Sequence, residues 1–122
     1  MSNIEKFEKC SAELLAQLYK SFPVKMHISI SDYSHYDNED NSGLFLSTIE
    51  FLSDEKFIRY DSDIYGGYMG VILTSKGLAI LNSTQPEMID DKETIGHKIT
   101  HAVNENSTDL IKTLINTFIT SK

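Results

Sequence analysis

Between residues 44 and 73 the spacing of the apolar side chains changes period, and that change limits the possible folds more than any other part of the sequence. On a helical wheel over 44–55, Phe45, Thr48, Ile49, Leu52 and Lys56 fall on one side, Ser47, Glu50 and Asp54 on the other, and Leu46 and Phe51 on the shoulders. Residues 57–61 then read as a strand, and 62–67 as a turn in which Gly66 and Gly67 are free to take positive φ. Residues 68–73 read as the returning strand. Such a passage predicts a helix that runs directly into a β-hairpin.

The flanking segments extend this α+β pattern. Ile4, Phe7, Leu14, Leu15, Leu18 and Tyr19 recur at helical spacing over 4–21, and Pro23 stops that helix because proline lacks an amide hydrogen. Met26, Ile28 and Ile30 alternate along a short strand. Residues 31–43 hold four carboxylates and no aliphatic side chain, which predicts a loop with room for one helical turn at its start. After the hairpin, Thr74 or Ser75 caps a helix over 75–82. A polar stretch with Pro86 follows, so 84–91 reads as a linker between a domain at 1–83 and a helical segment at 92–122. The latter divides into helices over 92–103 and 107–120.

Two stretches resemble a known family. Residues 48–60, TIEFLSDEKFIRY, are similar to the winged-helix passage in which the recognition helix enters the first wing strand. Residues 70–81, GVILTSKGLAIL, look like its counterpart, where the second wing strand enters a helix through an L-T-x-K-G turn. Many small bacterial regulators share both. The resemblance covers about two-thirds of the chain and implies a winged-helix-like domain: helix, short strand, loop, helix, hairpin wing, helix, here with two further C-terminal helices. It implies duplex DNA as the customary ligand. The sequence departs from the family between its first two helices, where an acidic loop replaces the expected second helix of a helix-turn-helix.

Charge speaks against DNA. The chain of 122 residues carries a formal net charge of -7, and residues 1–83 contain seven Lys or Arg against twelve Asp or Glu. Duplex affinity rests on cations that neutralise phosphates. The recognition-helix face instead offers Ser47, Glu50 and Asp54, with no Arg or Lys fork to read guanine. Lys25, Lys56, Arg59 and Lys76 are the cations that could gather into a contact for nucleic acid. Tyrosine is enriched at interfaces because it buries apolar area and keeps a polar tip. Tyr33, Tyr36, Tyr65 and Tyr68, with Asp37, Glu39 and Asp40, therefore suggest a basic protein partner, against the plainer reading that half of the tyrosines pack the wing.

In the last helix, Leu110, Ile111, Leu114, Ile115, Phe118 and Ile119 form a continuous apolar stripe. Burying six such side chains is worth roughly 9–18 kcal/mol before ordering costs, so the stripe will not stay in water. A homodimer through this helix is expected, with packing inside one chain as the rival.

Chemistry-bearing constellations are sparse. His97 and His101 share a helix face, but the position of the zinc-protease glutamate is taken by Lys98. The Asp37–Gly43 stretch misses the calcium-loop register, with Ser42 sixth and Thr48 twelfth. Ser53 to Lys56 matches S-x-x-K without its partner motifs. Cys10 is a lone thiol, and neither a disulfide nor an export signal is indicated. The expectation is a non-enzymatic, cytoplasmic interaction module without metal or cofactor. The alternative is a winged-helix transcription regulator.

Overall fold

The computed structural model describes residues 2–85 and 92–121. Within them the chain is α+β, with five α-helices and a small antiparallel sheet of four strands. The elements are α1 (Asn3–Ser21), β1 (Met26–Ser29), α2 (Ser42–Asp54), β2 (Ile58–Arg59), β3 (Ser62–Ile64), β4 (Gly67–Leu73), α3 (Ser75–Leu81), α4 (Ile95–Asn104) and α5 (Thr108–Thr120). No helix among them is long and apolar enough to cross a membrane. Most of the linker expected at 84–91 lies outside the described residues.

Local chemistry sets the helix ends. Ser2 opens α1 with a capping box: its hydroxyl accepts from the Glu5 amide at 3.2 Å, while the Glu5 carboxylate accepts from the Ser2 amide at 3.3 Å. The Ser2 amide and then the Ser2 hydroxyl, both donating to the Glu5 carboxylate, lower its pKa. Thr74 caps α3 through the Gly77 amide, and Thr94 caps α4 through the His97 amide, each at 3.1 Å. That second cap sets the start of α4 at Ile95, three residues later than the helix expected over 92–103.

The sheet is organised around β4. β1 pairs with one edge of β4, and β2 and β3 pair in succession along the other, all antiparallel. β2 and β3 are two halves of one interrupted strand. The expected turn at 62–67 therefore shrinks to Tyr65 and Gly66, because Ser62, Asp63 and Ile64 pair with Met69, Tyr68 and Gly67. Gly66 takes a φ of 77°, the left-handed region that glycine enters without steric cost.

The 31–43 segment is more structured than its composition suggests. It begins with two single 3-10 turns, Ile30–Asp32 and Ser34–Tyr36. Three residues apart, Tyr33 and Tyr36 turn inward onto Phe45, with ring centroids at 5.1 and 5.6 Å. Aromatic rings supply the apolar area that aliphatic side chains would otherwise bring.

One core joins all the helices to the sheet. Leu14, Leu15 and Leu18 of α1, Phe45, Ile49 and Leu52 of α2, and Ile99 and Ala102 of α4 are buried together. Phe118 of α5 stacks on Phe57 with centroids 4.5 Å apart. The C-terminal stripe thus packs inside its own chain, as the rival to the expected dimer surface has it. Ile111, Leu114, Ile115 and Phe118 are buried and Ile119 is partly buried. Leu110 alone of the six stays exposed. α1 and α4 cover what a second copy was expected to cover, because the α4–α5 turn at Glu105–Ser107 folds α5 back against them.

Candidate protein interface

The helical period of α2 determines which of its side chains reach solvent. Phe45, Thr48, Ile49 and Leu52 point into the core, and the buried Thr48 hydroxyl donates to the Leu44 carbonyl at 2.7 Å. Ser47, Glu50, Phe51 and Asp54 are exposed. Lys56 leaves the helix at a φ of 69°, in the left-handed conformation that ends it, so it is not part of the helical face assigned from the wheel.

The tyrosines divide. Tyr65 stands fully exposed at the wing turn. Tyr36 and Tyr68 are buried, which corrects their assignment as partner contacts. The Tyr36 hydroxyl donates to the Glu13 carboxylate at 3.1 Å, and His35 holds the other oxygen of that carboxylate at 3.1 Å. The Tyr68 hydroxyl reaches the Leu46 carbonyl at 3.5 Å, and its ring meets Tyr60 at 4.6 Å. Burial, and then the charge of Glu50, raise the Tyr68 pKa to about 12. Burial likewise raises Tyr33 to about 12, and it pushes Tyr36 up as well. Half-buried Tyr33 offers a partner only its rim.

The acidic residues also divide. Asp37, Glu39 and Asp40 are exposed. The loop meets the wing at its start, where the Ile30 amide donates to the Gly66 carbonyl at 2.8 Å. Its end lies instead beside the helices: Asn41 accepts from the Lys6 ammonium at 3.2 Å, and Asp40 lines a cleft between α1 and α2. Two patches result. At the wing, Ile64, Tyr65 and Met69 are uncovered near Asp61 and Asp63. At the cleft, Ile4, Phe7, Leu44 and Phe51 surround a space of about 640 Å³, and Phe7 and Phe51 meet edge to face at 5.3 Å.

The cations proposed for nucleic acid are partly occupied. Lys25 pairs with Asp61 at 3.0 Å. Lys76 donates to the Glu55 carbonyl at 3.1 Å and lies over the Phe57 ring, 4.5 Å from its centroid. Lys56 and Arg59 are exposed.

Sequence reasoning passed over Ile4, Phe51, Ile64 and Met69 as surface residues. One signal was present for Phe51, which sits on the shoulder of its wheel beside the polar face. Among the described residues, no group of three or more His, Cys, Asp or Glu is placed to hold a metal ion. His97 packs edge-on to Tyr19, while His101 lies 3.8 Å from Glu105. Cys10 is fully buried, and burial pushes its thiol up to about 12, so it offers no thiolate near neutral pH. Compared with known proteins, the chain matches no family model, no curated protein and no solved structure.

Proposed function

We propose that this protein is a winged-helix-type interaction module that binds a protein partner through the exposed side of α2 and the wing. The element order and the β1-β4-β2 strand order, with the β3–β4 hairpin as wing, support the winged-helix reading. In place of the second helix of a helix-turn-helix stand two 3-10 turns. That is too little helix to brace α2 in a major groove.

The observation that carries the proposal is the composition of the two patches. On α2, Phe51 is uncovered beside Glu50 and Asp54, and at the wing Ile64 and Tyr65 are uncovered near Asp61 and Asp63. Apolar anchors within a polar rim are the usual anatomy of a protein interface. The same carboxylates would repel phosphate, and Lys25 is already held by Asp61.

Fluorescence anisotropy with a labelled random-sequence duplex at low and high salt tests the proposal. No saturable binding is expected at either. Tight binding that weakens steeply with salt would establish the DNA-binding alternative instead.

A further inference from the structure

The α1–α2 cleft is apolar at its floor, with Asp40 in its lining and Glu50 and Asp54 on the neighbouring surface of α2. Ile4 is 67% exposed and Phe51 38%, although both belong to helices whose other large apolar residues are mostly covered. Among its lining residues are one carboxylate, Asp40, and no cation. Glu50 and Asp54 are exposed on α2 beside Phe51. The nearby Lys6 ammonium is engaged by Asn41. The capping box at the start of α1 pairs the Ser2 and Glu5 amides and sets the Glu5 carboxylate at that end of the helix.

Gly43 gives the cleft its depth. It lies one turn before Ser47 and two before Phe51, on the same side of α2. A β-carbon added at Gly43 would meet no atom within 4 Å. Gly43 does not take a positive φ, so the first turn of α2 does not require glycine there. The glycine thus leaves open a space that packing does not require to be empty.

We infer that this cleft takes the apolar side of a cationic amphipathic helix from a partner protein. A helix lying along α2 would place apolar anchors at i, i+4 and i+7 against Phe7, Leu44 and Phe51, with its lysines or arginines toward Asp40, Glu50 and Asp54. Charge complementarity selects the sign of the partner and the apolar floor selects its amphipathicity. This inference rests on the protein-interaction reading and adds the site and the chemistry of the occupant.

The probe is a fluorescein-labelled synthetic helix with leucines at i, i+4 and i+7 and lysines elsewhere, set against a twin with glutamates in place of the lysines. The lysine peptide should bind at least about tenfold more tightly than its twin. Gly43→Leu, which fills the cleft without changing charge, should weaken binding by about tenfold or more while keeping or raising the melting temperature. Ile4→Ser should weaken it in the same direction. Amide shifts on binding should centre on Ile4, Phe7, Ser47 and Phe51. Equal binding of both peptides, wild-type affinity in folded Gly43→Leu, or shifts confined to the wing would each overturn the cleft assignment while leaving the interaction reading in place. Salt-sensitive duplex binding in the anisotropy assay would overturn both.

Discussion

Helices α2 and α5 have the same length, 13 residues, and both are amphipathic, yet they use their apolar side chains differently. In α5 the stripe follows the helical period without interruption, and the chain covers it almost completely from within. In α2 the periodic residues are also buried, but Phe51 lies off the period, between the core side and the polar side, and stays in water. Most periodic apolar residues face the body of their own protein because folding requires them there, Leu110 and Ile4 being the exposed exceptions in α5 and α1. An aromatic side chain outside the period contributes little to the core and is available to something else.

The sharpest way to break this contrast is at Phe118. Buried and stacked on Phe57, it should cost about 3–5 kcal/mol as Phe118→Ala, read by urea denaturation. Light scattering should show a monomer for the wild type at micromolar concentration. A variant that keeps wild-type stability while a dimer dissociates would show that α5 serves a second copy after all. The α1–α4 contact that shelters α5 offers a second test. At Gly96 a β-carbon would sit 2.5 Å from the Tyr19 ring, whose hydroxyl bonds Asn82 at 2.7 Å and Thr94 at 3.1 Å. Gly96→Ala should lower stability by about 1–3 kcal/mol in a thermal melt, the usual cost of overpacking.

The inward tyrosines give a pH test. Tyr33 and Tyr68 are raised from the ordinary 10 to about 12 in the folded protein. A group that holds its proton more tightly when folded contributes stability that is complete below its unfolded value and is lost as pH rises through the folded one. Unfolding free energy should therefore fall between pH 10 and about 12, measured by denaturant titration at each pH. A flat profile there would mean that these two phenols are as exposed as Tyr65. The smallest effect is expected at Phe51. Phe51→Ser should change stability by less than about 1 kcal/mol, since its ring is 38% exposed and only partly covered by Phe7. A loss as large as that at Phe118 would place Phe51 in the core and remove it from the interface.

Much of this was legible in residue spacing. The five helices and the returning strand followed from apolar period, and Thr74 and Pro23 marked boundaries that the structure respects. One helical turn was expected at the start of the acidic loop, but the second 3-10 turn was not legible, because Tyr33 and Tyr36 replace the aliphatic residues by which a buried turn is usually recognised. The extension of the wing to Ile64 was hidden too. Ser62 and Asp63 read as turn residues, and only pairing with β4 makes them a strand. At the candidate interface, Glu50, Asp54 and Tyr65 could be read from the sequence. Ile4 could not, since its periodic position on α1 resembles a core position and its neighbours across the cleft lie far along the chain.

The sequence by itself determined the helix-to-hairpin passage, the acidic charge of the α2 face and the need to cover the α5 stripe. Each follows from composition or period within one element. Only the tertiary structure decided that α1 and α4 do the covering, that Tyr36 and Tyr68 turn inward, and that Ile4 and Phe51 line one open cleft. Those outcomes depend on which surfaces come together when separate helices pack, and the spacing of residues along a single helix does not specify its neighbour.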